Sequence, residues 1–589
     1  MPAMKNFEVA RQFELMADLL EIKGENPFRI RAYRRAAQNM ESLTEEVETL
    51  VAKNRLDRVA GIGKDLAAKI AEYLQTGQMR AVEEAKKEIP TGVVALMNVP
   101  GVGPKTAKLL YEKAGVHDIT QLEELAKAGR LKGMPGIQAK TEANILKGIA
   151  VIRQGQVRMP LGRALPLAEE LGQALERVKE VKQISLAGSI RRRRETAGDM
   201  DILVTSAKPE HVIDAFVRLP QAAEVLERGG TKASVRHREG LQVDLRVVEP
   251  EAFGAALVYF TGSKQHNIRI REMAQRKGLK ISEYGVFDES TSRRIAGKTE
   301  EEVYAAIGLP WIPPELREDA GEIEAALERR LPDLVDVRDI RGDLHDHTHA
   351  SDGHHSIEAL VAKARERGYE YVVVSDHSRS STIARGLSIE ALRAHVKKIR
   401  AAQDKFRDIT ILAGSECDIL ADGAMDYPDE VLAELDIVLA AVHARFKQPR
   451  EEMTRRICRA LEHPSVNILA HPTGRLIGER DPYDVDLEAV FRAAKQNGKA
   501  VEINSSPERL DLNDVHARRA AELGVLIAIN TDTHFLDNLN NVALGVATAR
   551  RAWIGPSQVI NTWPLERLRP WARSGRSGGG AGSRARKRA

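Results

Sequence analysis

Short apolar runs alternate with helical patterns throughout the chain from about residue 342 onward. An apolar run of this length between two helices is typical of a strand buried on both faces of a parallel sheet. Because so many β/α repeats follow one another, a closed barrel is favoured over an open sheet. The runs occupy residues 371–374, 409–412, 437–442, 466–470, 500–503 and 526–529.

A histidine or a carboxylate follows nearly every one of these runs, where the predicted strand ends. Twelve of the sixteen histidines lie after residue 341. Since the carboxyl ends of barrel strands carry active sites, we expect these side chains to converge in one pocket. A mixture of imidazole and carboxylate suits Zn²⁺, Mn²⁺ or Fe²⁺ better than Mg²⁺ alone, and such ions can activate water for attack on a phosphoester.

Six histidines of the same region do not follow an apolar run. A histidine outside such a pattern is more often a solvated surface residue than a metal ligand. We therefore expect these at the surface: His349, His354, His355, His395, His463 and His516.

The segment resembles the PHP (polymerase and histidinol phosphatase) domain. The resemblance rests on residues 343–348 (DLHDHT), 351–353 (SDG), 376–377 (DH), 442–443 (VH), 471–472 (HP) and 530–534 (NTDTH), together with Glu416. It implies a trinuclear metal site and an active phosphoesterase, because all nine ligand positions of that family carry usable residues. Those positions are His345, His347, Asp352, His377, Glu416, His443, His471, Asp532 and His534.

A different pattern occupies residues 184–205, within a part of the chain that predicts an α+β domain with a mixed or antiparallel sheet. Gly188-Ser189 follows an apolar run and can turn backbone N–H groups and a hydroxyl toward phosphate. After Gly198, Asp199 and Asp201 open a predicted strand and project from the same face. Two carboxylates beside such a turn suit a pair of Mg²⁺ ions, so the pattern indicates nucleotidyl transfer.

Two ions need a third carboxylate, and Asp244 lies in a strand-like segment that could pair beside the first two aspartates. Four arginines follow the glycine-serine turn. They favour Arg192, with Arg191 as the second candidate, as a triphosphate ligand.

Residues 259–263 (YFTGS), followed by Asn267 and Arg271, extend this pattern into a resemblance to family X DNA polymerases. The resemblance implies that the Tyr259-Phe260-Thr261-Gly262 turn lies against the incoming sugar, and that Asn267 and Arg271 contact the nucleotide or the template minor groove. Vertebrate members carry an aspartate where this chain has Lys264, and we expect Lys264 to meet the triphosphate. The implied nucleotide-binding set is Gly188, Ser189, Arg192, Gly198, Tyr259, Phe260, Gly262, Lys264, Asn267 and Arg271. Its catalytic aspartates would hold Mg²⁺, with Mn²⁺ as an alternative.

The first 150 residues have apolar positions at helix spacing, broken by glycine-containing turns. Residues 60–64 (AGIGK) and 99–105 (VPGVGPK) indicate two helix-hairpin-helix turns. Their glycines would bring backbone N–H groups at a helix start against a DNA phosphate without reading bases. These glycines are Gly61, Gly63, Gly101 and Gly103.

The family X resemblance also covers residues 28–76. Arg29 and Tyr33 match positions near a downstream 5′-phosphate. Lys69 matches the family's Schiff-base lysine, which removes a 5′-deoxyribose phosphate. Asp65 replaces a neighbouring lysine of that pattern, and a surface lysine on an amphipathic helix is the alternative for Lys69.

Composition excludes several classes of protein. Only two cysteines occur, Cys417 and Cys458, which rules out a disulfide framework. No apolar signal core or membrane-length run is present, so we expect a soluble cytoplasmic protein without membrane association. The net charge of +4 decides little about a polyanionic partner.

The chain is therefore expected to be a multidomain polymerase and nuclease. The expected domains are an N-terminal DNA-binding, lyase-like helical domain (1–90), a fingers-like subdomain (91–150), a nucleotidyltransferase palm (151–258), a thumb (259–315), a linker (316–340), a PHP barrel (341–572) and a disordered basic tail (573–589). The resemblance implies a monomeric DNA-directed DNA polymerase that uses dNTPs to fill short gaps in base excision repair, on gapped or nicked primer-template. The PHP domain would act as a 3′ to 5′ exonuclease, and on 3′-phosphates or abasic sites.

Three alternatives remain at this stage. An RNA nucleotidyltransferase shares the glycine-serine turn and paired aspartates, but not the paired hairpin turns or the YFTG segment. A DNA end-binding scaffold would have decayed sites, whereas these carboxylates and ligands are intact. The PHP half could instead be a small-molecule phosphatase.

Overall fold

The computed structural model describes residues 2–41, 47–53, 55, 56, 59, 61–89, 93, 96, 97, 99, 102–131, 134, 142, 145, 146, 149 and 158–574. The chain forms two compact units, residues 2–157 and 158–589, and each is described by itself. Gly101 and residues 575–589 of the expected tail lie outside the described residues. Among the described helices, none is long and apolar enough to cross a membrane.

The N-terminal unit is helical, as its helix-spaced apolar residues predict. Its expected parts, 1–90 and 91–150, share one continuous core that includes Phe13, Ile70 and Leu110. Residues 2–157 accordingly form one compact body. The helices span Pro2–Lys23, Pro27–Glu41, Val47–Ala52, Lys64–Thr76, Arg80–Lys87, Pro104–Ala114 and Ile119–Lys127.

A five-stranded mixed sheet forms the palm. Its order is Gln183–Leu186, Asp199–Thr205, Gln242–Val248, Lys232–His237 and Ala222–Arg228. The second and third strands of this order are parallel, and the other neighbours are antiparallel. Helices Leu161–Glu176 and Pro209–Val217 cover one face, where Met200 and Val243 pack into the core. Since strand side chains alternate, the residues beside them point to the opposite face.

The thumb combines helices with a small antiparallel sheet. The expected boundary between palm and thumb, after residue 258, falls inside the helix Phe253–Thr261. The remaining elements are the helix Lys264–Gln275, the strands Leu279–Ser282, Gly285–Asp288 and Arg294–Ala296, and the helix Glu300–Ala306.

Residues 316–340, expected to be a linker, are folded. The 3₁₀ turn Val337–Asp339 and the helix Glu322–Leu327 belong to this segment, which packs against the thumb core through Ile323 and Ala326. Arg317 and Glu322 are fully buried, and Arg317 donates to Glu300 at 2.7 Å. Glu322 Oε1 lies 2.7 Å from His266 Nδ1. The buried charges of this segment therefore have internal partners, as buried charges require.

Seven parallel strands form the C-terminal barrel, in the order in which they occur in the chain. The Leu344 N–H donates to Asn530 Oδ1 at 3.3 Å, and Asn561 Nδ2 donates to the Gly342 carbonyl at 3.0 Å. These side chains join the first and last strands, so the barrel is nearly closed. The strands span Gly342–Asp346, Tyr371–Val374, Thr410–Asp418, Ile437–Ala441, Ile468–Leu469, Ala500–Asn504 and Leu526–Asn530. The helices span Ile357–Glu366, Ile389–Ala402, Asp429–Leu432, Arg450–Glu462, Leu487–Gln496, Asp514–Glu522, Val542–Arg551 and Leu565–Ser574.

Two ends of the barrel domain differ from expectation. The first strand, Gly342–Asp346, is not among the apolar runs because it carries only one large apolar residue, although every residue in it is buried. The final helix ends at Ser574, so the first two residues of the expected tail are helical.

Candidate active sites

The three candidate catalytic aspartates lie on one face of the mixed sheet. Asp199 and Asp201 begin their strand, and Asp201 is the register partner of Asp244 on the parallel neighbour. The core residues between them point the other way, so the three carboxylates share the open face. Burial, and then the neighbouring carboxylates of Asp199 and Asp244, raise the pKa of Asp201 to about 7. A divalent cation would neutralise this crowded negative charge.

The glycine-serine turn lies beside these carboxylates. Gly188 begins the short helix Gly188–Arg191 with a φ of +61°, a conformation that favours glycine. The Ala187 N–H donates to the Asp201 carbonyl at 2.8 Å and fixes the turn to the strand. Ser189 Oγ is buried and has no hydrogen-bond partner in the described part of the chain. A phosphate oxygen would satisfy that hydroxyl.

A cavity of about 450 Å³ adjoins the turn and the carboxylates. All ten predicted nucleotide-binding residues line it. Asp244 is not in the lining; it accepts hydrogen bonds from Ser234 and Gln242. Four cationic side chains and two carboxylates in one cavity match the charges of a metal-bound triphosphate. The lining consists of Arg158, Gly188, Ser189, Arg192, Gly198, Asp199, Asp201, Tyr259, Phe260, Thr261, Gly262, Lys264, Asn267 and Arg271.

Two consecutive thumb helices contribute the far side of this cavity. Asn267 Nδ2 donates to the Tyr259 carbonyl at 2.7 Å, which ties the second helix to the end of the first. Arg271 Nε donates to the Asn267 carbonyl at 3.2 Å, and its guanidinium lies 5.9 Å from the centroid of the Tyr259 ring. Lys264 is the first residue of its helix, where backbone N–H groups and the helix dipole favour an anion.

The two candidate arginines differ in position. Arg192 lines the cavity, donates to the Thr261 carbonyl and bonds Glu318 at 3.1 Å. Arg191, the second candidate, is not in the lining because both of its terminal nitrogens bond Glu300, at 2.7 and 2.9 Å. Arg191 therefore serves as an internal ion-pair partner in this arrangement.

Arg158 is a lining residue that sequence reasoning missed. Its guanidinium donates to Thr196 Oγ1 at 2.9 Å and to the Thr196 carbonyl at 2.8 Å, which places it beside Gly198. No local pattern marks this arginine, since it precedes the paired aspartates by about 40 positions. Its position in the cavity lining depends on tertiary contacts alone.

The nine predicted PHP ligands converge at the carboxyl ends of the barrel strands. The ninth of them, His471, lies with Nε2 at 2.7 Å from Glu416 Oε1. The other eight form three groups whose ligand atoms lie within 4.8 Å of one another: His347, Asp352, His377 and His534; His345, His347 and Asp532; and His377, Glu416 and His443.

The chemistry of this cluster fits metal ions. His345 Nε2, His347 Nδ1 and His377 Nδ1 are buried without a hydrogen-bond partner among the residues that the structure describes. The second ring nitrogen of His345, Nδ1, lies 2.8 Å from Glu502. Such carboxylate–histidine pairs orient an imidazole toward a metal. Imidazole nitrogens combined with carboxylates are typical ligands of Zn²⁺, Mn²⁺ and Fe²⁺.

Opposite charges within the cluster keep its carboxylates ionised. Burial opposes protonation of His377, but Glu416 and Asp352 outweigh it and raise the pKa of His377 to about 10. Burial would raise the pKa of Asp352, yet His377 and His534 hold it well below its usual value. The cluster therefore presents anionic oxygen ligands across the neutral pH range.

Glu502 and Asp418 are supporting residues that sequence reasoning missed. Asp418 Oδ1 lies 2.9 Å from His443 Nδ1, in the same role that Glu502 has at His345. Asp418 ends the strand Thr410–Asp418, and Glu502 lies in the middle of the strand Ala500–Asn504. A search for charged residues within the apolar runs would have found Glu502 in the run 500–503, whereas Asp418 lies outside the run 409–412.

The expectation of surface positions is wrong for three of the six remaining histidines. His355, His395 and His516 are buried, whereas His349 and His354 are exposed. His395 Nε2 lies 2.8 Å from a carboxylate oxygen of Asp376, which compensates its burial. His463 is half-buried.

The two glycine turns of the N-terminal unit have matching geometry. Gly63 and Gly103 each immediately precede a helix, with φ and ψ of −82° and 175° and of −80° and 173°. Gly61 has a φ of +75°, and it and the other two glycines are exposed. Exposed helix starts of this kind present unpaired N–H groups to an anion.

Residues predicted near a 5′-phosphate take different positions. Arg29 is about half exposed, with 52% of its side chain accessible, and pairs with Glu25 at 3.7 Å. Tyr33 is only 2% exposed, and its ring lies 5.8 Å from that of Phe13. Lys69 Nζ lies 2.5 Å from Asp65, the residue that departs from the family pattern.

Family models match along most of the chain. The DNA polymerase beta thumb matches residues 256–318, and the PHP domain matches residues 343–506. A helix-hairpin-helix domain matches residues 4–79, and a SAM-like helix-hairpin-helix tandem matches residues 93–150. These matches confirm the predicted fold class.

Whole-chain similarity agrees with the family models. A protein described as "Probable phosphatase" from Acetivibrio thermocellus is 31% identical over 33% of this chain and 78% of its own length. DNA polymerase lambda of Rattus norvegicus is 24% identical over 53% of this chain and 56% of its own length. The DNA polymerase/3′-5′ exonuclease PolX of Bacillus subtilis is 38% identical over 96% of this chain and 98% of its own length. The chain therefore belongs to the PolX family of DNA polymerase/3′-5′ exonucleases.

Proposed function

We propose that this chain is a DNA polymerase that extends the primer 3′ end across short gaps in base excision repair. The observation that carries the proposal is the single cavity that combines a glycine-serine turn, two strand carboxylates and four cationic side chains. This combination suits a dNTP with its metal ions, in a chain acting as a monomer on gapped or nicked DNA. Paired glycine turns at exposed helix starts suit the DNA backbone.

Asp199, Asp201 and Asp244 would hold the polymerase metals, for which we propose Mg²⁺ with Mn²⁺ as an alternative. When bound, these ions would activate the primer hydroxyl and bind triphosphate oxygens. The Ser189 hydroxyl, which lacks a partner within the described residues, would donate to a phosphate. Pyrophosphate leaves as the primer oxygen bonds the α-phosphorus.

The cationic residues of the cavity would bind the triphosphate. Arg192 and Arg158 present planar guanidinium groups on the palm side, suited to paired hydrogen bonds with phosphate. Lys264 adds a point charge at a helix start on the thumb side. Because the palm and the thumb both contribute these groups, a bound nucleotide would contact both subdomains.

The remaining lining residues would contact the sugar and base. Tyr259, Phe260 and Gly262 lie together at the end of a thumb helix, next to the cavity. Bulk at this position would exclude a ribose 2′-hydroxyl. Asn267 and Arg271 lie about one turn apart on the following helix, Lys264–Gln275, and would contact the nucleotide or the minor groove.

The barrel would remove nucleotides from the 3′ end. Its nine clustered residues would hold Mn²⁺, Zn²⁺ or Fe²⁺, ions that supply an activated water when bound. The same chemistry would serve on a 3′-phosphate, which is a phosphomonoester, or on the phosphodiester beside an abasic site. Glu502 and Asp418 would orient His345 and His443 toward the metals.

A gapped duplex tests the proposal. A 5′-labelled primer beside a one-nucleotide gap is incubated with the complementary dNTP and Mg²⁺ or Mn²⁺, and in parallel without dNTP. We expect a product longer by one nucleotide with dNTP, and products shortened from the 3′ end without it. Chelator abolishes both. Extension of RNA ends but not of DNA ends would instead support an RNA nucleotidyltransferase.

A further inference from the structure

Arg551 joins the barrel domain to the polymerase part of the chain. It is the last residue of the helix Val542–Arg551, and its side chain is 5% exposed. Within the barrel its guanidinium holds Asp514, at 2.7 and 2.8 Å. Its Nη1 reaches out of the barrel and donates to Glu318 Oε1 at 3.0 Å and to the Arg192 carbonyl at 2.8 Å.

Arg192 is therefore hydrogen-bonded through both its backbone carbonyl and its side chain. Its backbone carbonyl accepts from Arg551, while its own Nε donates to Glu318 at 3.1 Å. Glu318 Oε1 thus lies between two guanidinium groups, one from the nucleotide cavity and one from the barrel. The Arg192 side chain, 14% exposed, has few alternative orientations in this setting.

The ionisation of Glu318 and of Asp514 depends on the arginines that surround them. Burial would raise the pKa of Glu318, but Arg551 and then Arg192 hold it below its usual value. Burial would likewise raise the pKa of Asp514, and Arg551 is the largest influence that lowers it, to about 2. Arg194 Nη1 is a third cationic neighbour, at 3.9 Å from Glu318 Oε1, on a side chain that is 47% exposed. A buried carboxylate that loses one cationic partner interacts more strongly with the partners that remain. Without Arg551, Glu318 would therefore compete with a triphosphate for the Arg192 guanidinium.

We infer that Arg551 is a positioning residue of the polymerase site: it orients Arg192 and neutralises Glu318, so that nucleotide binding depends on the barrel domain. The inference rests on the proposed role of Arg192 as a triphosphate ligand. It assigns to the barrel a part in polymerisation that is separate from its own metal cluster.

Steady-state kinetics of the full chain test this role. Arg551→Lys keeps the charge but not the geometry, and Arg551→Met removes both. We expect each to raise the KM for dNTP on a one-nucleotide gap about ten-fold, the effect of losing one charge-assisted hydrogen bond. The kcat and the exonuclease rate on single-stranded DNA should stay within about two-fold. Arg550→Lys is the matched control, since Arg550 bonds Glu315 and the Val335 carbonyl, and it should leave all three unchanged.

A double variant separates positioning from general stability. If Arg551 acts through Arg192, Arg192→Ala combined with Arg551→Met should have the same dNTP KM as Arg192→Ala alone. An unchanged KM in both Arg551 variants, or fully additive effects in the double variant, would overturn the inference while the proposed function stands. Parallel loss of polymerase and exonuclease activity in both variants would also overturn it. An unchanged KM in Arg192→Ala would overturn the proposed role of Arg192 itself.

Discussion

Gly188 lies so close to Asp201 that a Cβ built on the glycine would stand 2.5 Å from the Asp201 Oδ2 atom. Any side chain at this position must displace one of the three carboxylates that are proposed to hold the polymerase metals. The turn proposed to bind phosphate and the strand proposed to bind metal are therefore in direct contact.

We expect Gly188→Ala to lower the polymerase kcat by at least about ten-fold, because the carboxylate cannot keep its position. Primer extension on gapped DNA measures the effect, and the exonuclease rate should not change. Gly240→Ala is the matched control: it also has a positive φ, but a Cβ there would meet nothing within 4 Å. Equal losses in the two variants would assign the effect to backbone strain and not to the contact.

Lys264→Ala should raise the KM for dNTP about ten-fold with little change in kcat, since an exposed ammonium at a helix start binds the triphosphate in ground state and transition state alike. Titration of dNTP in single-turnover extension provides the measurement. Lys280→Ala, on an exposed position of a thumb strand, serves as the control. Full dNTP affinity in Lys264→Ala would refute the assignment.

Glu300 gives the thumb a pH-dependent stability. Burial opposes its ionisation, but Arg191 and Arg317 outweigh burial and lower its pKa to about 2. The carboxylate therefore stabilises the fold above its unfolded pKa, near 4.5, and this contribution is lost as the pH falls toward 2.

We expect Glu300→Gln to destabilise the fold by about 3 kcal/mol at pH 7, from the size of the pKa shift. The difference in free energy of unfolding between the variant and wild type should be smaller at about pH 3.5. Urea unfolding followed by tryptophan fluorescence at both pH values tests this, and Trp311, whose indole N–H donates to Glu300 at 2.8 Å, is a local reporter. A difference in free energy of unfolding that is the same at both pH values would contradict this account.

Lys69 should form a Schiff base with an incised abasic site if its pairing with Asp65 opens on DNA binding. Borohydride would then trap a covalent complex with the wild-type chain and with the control variant Lys87→Ala, which replaces an exposed lysine on the helix Arg80–Lys87. Lys69→Ala should lose the complex. Absence of any complex with wild type would leave Lys69 as a surface lysine paired with aspartate.

The cluster of histidines and carboxylates could be predicted because its members follow a local rule. Each predicted strand is recognisable from a few apolar residues, and a histidine comes directly after it, as His443 does, or within three residues, as His377 does. The first strand, Gly342–Asp346, escaped this rule because three of its five residues are ionisable, although all five are buried.

Contacts between distant segments could not be predicted in this way. Arg158 and Arg551 reach the nucleotide cavity and Arg192 only through the tertiary arrangement, and neither stands in a recognisable motif. The same limit explains His395, whose burial depends on Asp376 from a neighbouring strand end. Residues 316–340 were expected to be a linker because their buried partners are remote in sequence, such as His266 for Glu322 and Arg551 for Glu318.

The central claim is that one chain carries two independent metal sites, one that adds nucleotides and one that removes them. Asp201→Ala and His345→Ala separate the two on a one-nucleotide gapped duplex with Mg²⁺ or Mn²⁺. We predict that Asp201→Ala loses extension and keeps 3′ degradation, while His345→Ala keeps extension and loses degradation. Loss of both activities in either variant would contradict the account and indicate a single shared site.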